Sequence, residues 1–130
     1  MQLLLSPVEL TLPGDSRFIR LARLVASGVA TTCGLPLESV EDFRIVVDEV
    51  CSTLIETSDG APVHLSFRME QGALVVEGST QTDPLREIEA ARLTLSHQIL
   101  DVLADAHRLD REGDRLTIVV STARRAQGVG

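Results

Sequence analysis

A chain of 130 residues, 44% hydrophobic and 24% charged, is sized and balanced for one globular domain. Its formal net charge of −7 disfavours a phosphate-backbone partner, and three Phe with no Tyr or Trp leave few rings for stacking on single-stranded nucleic acid. All twelve basic residues are Arg, which excludes a phosphate loop that depends on Lys.

The opening MQLLLSPVEL (1–10) has a three-Leu run without a basic lead, so no signal peptide is expected, and no later stretch is long enough to span a membrane. A cytoplasmic protein is expected. Cys33 and Cys51 fit buried free thiols of a reducing compartment better than a disulfide or a reactive thiol.

In chain order, VELTLP (8–13) alternates Val8, Leu10 and Leu12 and reads as a short strand stopped by Pro13 and Gly14. A helix follows from Asp15, capped by Asp15 or Gly14. It carries the apolar stripe Phe18, Leu21, Ala22, Val25, Val29, with Arg17, Arg20 and Arg23 on its wet side. CGLP (33–36) ends it. A second helix is predicted from about Ser39, with Ser39 and Asp42 in capping-box spacing. Val40, Phe43, Val47, Val50 and Leu54 form its core stripe, and SDGAP (58–62) ends it.

Next, VHLSFRME (63–70) and ALVVEGS (73–79) form a hairpin around the two-residue turn Gln71–Gly72. TQTDP opens a loop into the polar, helical LREIEAA (85–91). A helix over about 94–107 is expected to bury Leu95, Ile99, Val102 or Leu103, and Ala106. REGD (111–114) turns into a last strand, RLTIVVST. The economical packing is α+β: one antiparallel or mixed sheet of about four strands with helices on one face. Residues 1–123 read as a single domain and 124–130 as a loose tail.

The second helix holds the residues that invite a chemical reading. Glu49, Ser52 or Thr53, and Glu56 recur at helical spacing and share one face, offset from the Val47–Val50–Leu54 stripe. Two readings of Asp48, Glu49 and Glu56 are open: a solvated helix face, or a carboxylate aimed into a cleft between helix and sheet. His64, His97 and His107 show no metal-ligand spacing, and no Ser–His–acid set is evident, so neither a metal site nor nucleophilic hydrolysis is expected.

VEDFRIVVDEVCSTLI (40–55) resembles the corresponding helix of RsbW-type anti-sigma factors, of the histidine-kinase-like (GHKL) ATPase superfamily. VELTLPGDSRFIRLARLVA resembles that family's first strand and helix, and LSHQILDVLADAH and RLTIVVSTARR its last helix and strand. The resemblance implies a two-layer α/β sandwich of the Bergerat type. It also implies that Glu49 is the acid that activates water or an acceptor serine. Thr53 stands where the family has the Asn that completes a Mg²⁺ site on ATP. The adenine-recognising Asp falls near Ser79 and Thr80, and no glycine pair follows. AARLTLSHQ replaces the glycine-rich lid. A Thr hydroxyl is a poorer hard-cation ligand than an Asn carbonyl. Phe18 and Arg20 match a Phe-x-Arg whose Arg faces protein partners.

The implied function is an anti-sigma factor that sequesters an alternative sigma factor and is released by an anti-anti-sigma (STAS) partner. Its Arg17, Arg20 and Arg23 would lie toward those partners, its Mg-ATP use would be weak or lost, and it would pair as a homodimer through the first strand and first helix. The alternative is an active ATP-dependent serine protein kinase that phosphorylates the antagonist. An unrelated role on the same scaffold is a third possibility.

Overall fold

Alternating apolar residues and one long helical stripe build the architecture. The computed structural model describes residues 6–83 and 90–123. Along the chain come β1 (Val8–Leu12), a 3₁₀ turn at Ser16–Phe18, α1 (Ile19–Thr32) and α2 (Leu37–Ser58). The hairpin β2 (Val63–Glu70) and β3 (Ala73–Gln81) follows, then α3 (Ala90–Leu103), β4 (Ala106–Glu112) and β5 (Arg115–Ala123). The strands form one sheet in the order β1-β2-β3-β5-β4, with every neighbouring pair antiparallel. This is an α+β two-layer sandwich.

Each β2 residue from Val63 to Phe67 alternates between the core and the open face. Val63, Leu65 and Phe67 are buried, and they pair with Thr80, Gly78 and Val76 of β3. Gln71 and Gly72 both take positive φ, 51° and 82°, the geometry of a tight hairpin turn matching strand twist. Helix α2 crosses this sheet and buries Val40, Phe43, Val46, Val47, Val50 and Leu54. It lies close on the sheet at Gly78, where an added Cβ would stand 2.7 Å from Leu54 Cδ1 and 2.8 Å from Val50 Cγ1. Phe43 meets Phe67 edge-on, with ring centroids 6.0 Å apart.

The other face of the sheet carries no helix among the described residues. It is roofed by its own side chains. Arg68 donates to Glu70 and, at 3.0 Å, to Glu77, while Val75 beneath is only 2% exposed. At the β1 edge, His64 bonds Thr11 Oγ1 through Nδ1 and Glu9 Oε1 through Nε2, each at 2.8 Å.

Four expectations need correction. The sheet has five strands, not about four: residues 106–112, in part assigned to a helix, form edge strand β4, which turns into β5 through Gly113 at φ 62°. Helix α3 ends at Leu103 and is rotated by one residue from most of the expected stripe: Ser96 and Leu100 are buried and Leu103, of the Val102–Leu103 alternatives, packs against the core, while Leu95 and Val102 are exposed and Ala106 belongs to β4. Helix α2 begins at Leu37 behind an extended Pro36, with no side-chain cap, so Ser39 and Asp42 form no capping box. Proline's fixed φ leads the chain into the first turn. In α1 the core face is Ala22, Ala26, Val29 and Ala30, and Leu21 is exposed. Asp15 caps the 3₁₀ turn by accepting the Arg17 N–H at 2.9 Å. Segment 85–89 and the tail 124–130 lie outside the described residues.

Two glycines make a paired stability test. Gly78→Ala forces methyl groups of Leu54 and Val50 apart and should cost about 1–3 kcal/mol. Gly28 lies inside α1 with no heavy atom within 4 Å of its missing Cβ, so Gly28→Ala should stabilise by about 0.5–1 kcal/mol. Urea unfolding midpoints of the two variants should move in opposite directions.

Candidate functional site

Helical phase decides which acids of α2 reach the interior. Asp48, half exposed, meets Arg23 of α1 at 3.3 Å, and Glu56 is exposed. Glu49 is only 8% exposed and its Oε2 is fully enclosed. The three carboxylates are therefore not one solvated face. Taking a carboxylate out of water is costly, so Glu49 is held by its surroundings rather than by hydration.

Thr53, one turn on, is 0% exposed, and its Oγ1 lies 3.5 Å from Ser96 Oγ on α3. Below it, Thr57 Oγ1 donates back to the carbonyls of Thr53 and Leu54 at 3.0 and 3.1 Å. Thr82 Oγ1 donates to the Thr57 carbonyl at 2.7 Å. Thr80 Oγ1 donates to the Pro62 carbonyl at 2.8 Å. A chain of buried hydroxyls thus joins α2 to α3 and to the end of β3, beside one enclosed acid.

The predicted site residues are only partly assembled. Glu49 and Thr53 share the α2 face that meets α3. Thr80 lies on the helix-facing side of β3, as does Gly78 two residues before it. Ser79, between them, turns to the opposite side of the sheet, where Arg115 donates to its Oγ at 2.9 Å. Arg20 and Arg23 are exposed on α1, and Arg17 is exposed on the 3₁₀ turn before it. Arg17 folds back on Asp15 at 2.7 Å, and this partner holds the Asp15 carboxyl below its ordinary range.

Sequence reading missed Ser96, Thr57 and Thr82. Ser96 lies one residue from the apolar position assigned to the core. The hydroxyls of Thr57 and Thr82 bond to backbone carbonyls, a use that residue type alone does not reveal.

Among the described residues no group of three or more His, Cys, Asp and Glu side chains converges as metal ligands would. None of the described helices is long and apolar enough to cross a membrane. The buried polar groups described on this side of α2 are the Glu49 carboxylate and the hydroxyls of Thr53, Thr57, Thr82 and Ser96. That set does not fit Mg-ATP well, because Mg²⁺ demands octahedral oxygen ligands and retains several waters. A fully enclosed Thr53 packed on Ser96 leaves that shell little room.

No protein-family profile matches the chain. It is similar to the serine-protein kinase RsbW of Halalkalibacterium halodurans, 30% identical over 71 residues, which are 53% of this chain and 44% of that protein. It is similar also to the serine-protein kinase RsbW of Bacillus velezensis, 31% identical over 49 residues, and of Bacillus thuringiensis, 26% over 49. Each of those two matches covers 38% of this chain and 31% of the relative. The matched segments thus span less than half the length of these curated relatives. The resemblance read from VEDFRIVVDEVCSTLI is supported: the chain is RsbW-like in sequence.

Cys51 lies on α2 two residues after Glu49. Burial, aided by the Asp48 charge, pushes its thiol from an ordinary 9.0 up to about 12. Between these values the unfolded chain loses a proton that the folded chain keeps, so stability falls as pH rises from about 9 toward 12. Cys51→Ala should flatten that part of the pH–stability curve, and the native thiol should resist alkylation at neutral pH.

Proposed function

We propose that this chain is an RsbW-like anti-sigma factor of the cytoplasm. It sequesters an alternative sigma factor by surface contact, is released by an anti-anti-sigma (STAS) partner, and makes weak or no use of Mg-ATP. Residues 1–123 act as one histidine-kinase-like domain.

One observation carries this reading: Thr53 is sealed against Ser96 while Ser79 faces away across the sheet. Holding a charged nucleotide needs several preorganised contacts at once. Here an acid remains without the assembly around it. Glu49 is then a vestige of a general base, and Thr53, Ser79 and Thr80 are remnants of nucleotide contacts.

Binding instead falls to the helical surface. Arg20 is exposed on α1 beside Leu21 and Leu24, and arginine is the charged residue most often found at energetic interface centres.

The second reading, an ATP-dependent serine protein kinase acting on the antagonist, is favoured by the names of the relatives and by the enclosure of Glu49. In that case Mg-ATP would bind beside Glu49.

Calorimetric titration with Mg-ATP separates the two. No heat signal at micromolar nucleotide, with equal sigma-factor binding in its presence and absence, is the expected result. Micromolar binding abolished by Glu49→Ala, with phosphate transfer to the antagonist, would establish the kinase. Arg20→Ala should weaken sigma-factor binding at least tenfold, about 1.4 kcal/mol, and leave the melting temperature unchanged. A large fall in melting temperature would make Arg20 structural.

A further inference from the structure

Helix α3 and strand β4 bring together two histidines whose spacing along the chain gives no sign of a shared role. His97 is exposed on α3, whereas His107 on β4 keeps only 14% of its side chain in solvent. Their ring centroids are 5.2 Å apart and the rings are inclined at 75°. Asp101, one turn after His97 on α3, takes His107 Nε2 at 2.7 Å. A carboxylate only accepts, so in the neutral ring this bond keeps the proton on Nε2 and leaves the lone pair on Nδ1. Among the described residues, Asp101 is the one hydrogen-bond partner of the His107 ring.

We infer that His97 and His107 form a binding site for a divalent transition-metal ion, Zn²⁺ foremost, with Asp101 orienting one of the two ligands. Two imidazoles on one tetrahedral zinc, each nitrogen at about 2.0–2.1 Å, set their ring centroids roughly 5 Å apart. The two rings already stand at that separation. A ligating histidine commonly gives its other N–H to a carboxylate, which fixes the tautomer and raises the basicity of the ligand. Asp101 and His107 have that arrangement. His97 needs only a turn about χ2, a broad torsion, to aim a nitrogen at the same point. Imidazole suits Zn²⁺, Cu²⁺ and Ni²⁺, whereas Mg²⁺ and Ca²⁺ demand oxygen. Cys33 and Cys51, the soft sulfur ligands of the chain, are 1% and 0% exposed and do not compete.

Asp101 is engaged by the far nitrogen of His107, and no group of three His, Cys, Asp or Glu ligands converges among the described residues, so water fills the remaining positions. Binding is therefore exchangeable, unlike that of a closed four-ligand structural site. An ion held there ties α3 to β4. The same helix carries Ser96, which meets Thr53 of α2 at 3.5 Å, so occupancy also steadies the seam between the helices. The folded chain brings the two rings together, and an ion that binds the folded chain stabilises it. The site requires neither a sigma factor nor ATP.

Histidine ring proton–nitrogen spectra of the full chain, recorded while zinc chloride is added, test the site directly. The His97 and His107 signals should move together and saturate at one ion per chain. His64, bonded to Glu9 and Thr11 at the β1 edge, should stay still. Magnesium chloride should move none of the three. By calorimetry, His97→Ala should weaken zinc binding at least tenfold. That side chain is exposed, so the circular dichroism of the variant should be unchanged. Asp101→Asn keeps an acceptor for His107 but loses the charge, and should weaken binding about tenfold. Unchanged affinity in Asp101→Asn would overturn the orienting role given to Asp101. Three results would overturn the site itself: His97 and His107 signals that stay still up to millimolar zinc, equal affinity in His97→Ala, or movement of all three histidines at the same zinc concentration, the mark of unspecific surface binding. The spectra use the unaltered chain, so they decide even where a variant fails to fold.

Discussion

Everything else in the molecule depends on how closely α2 can lie on the hairpin. Gly78 allows Val50 and Leu54 to sit directly on β3, with Leu65 beside them. That contact fixes the rotation of α2, and the rotation sends Val47 and Glu49 inward and Asp48 toward Arg23. A residue with a side chain at 78 would lift the helix and dilute each of these placements together. The acid at the centre of α2 is thus oriented by hydrophobic packing several residues away.

The polar interior is built almost wholly from hydroxyls. Thr57 bridges two carbonyls of its own helix, Thr82 ties the β3 end to α2, and Thr53 meets Ser96. Neutral groups of this kind can be buried cheaply provided that each finds a carbonyl or another hydroxyl. They form a seam that holds three elements together.

Much of the fold was legible in the sequence, and the exceptions have physical causes. The α2 stripe from Val40 to Leu54 spans about four turns and the β2–β3 hairpin has an unambiguous turn dipeptide, so both were readable. Strand β4 was not: AHRLDRE has Leu109 as its one large apolar residue, because an edge strand needs little burial and gains from charge. The phase of α3 was unreadable for the opposite reason. Leu95, Ile99, Leu100, Val102 and Leu103 surround the helix, so periodicity cannot choose a face, and the buried one runs through a serine. For the candidate site, helical spacing set Glu49 and Ser52 or Thr53 on one face, and only the family resemblance singled out Glu49 and Thr53. Ser79 and Thr80 could not be separated, since in a strand adjacent residues face opposite sides and one position decides everything.

The roofed back of the sheet bears on where change is tolerated. Arg68, Glu70 and Glu77 interlock over Val75, and the His64 link fastens β1 beside them. Each of these charges is already engaged within its own chain, so a newcomer arriving there must break ion pairs before forming any. On the helical side Arg17 and Arg23 are likewise paired, with Asp15 and Asp48, but Leu21 and Leu24 stand exposed on α1 and engage no charge. The molecule is therefore two-faced in its capacity to diverge. New associations arise readily by single substitutions among the helices, whereas the strand side is held to its present composition.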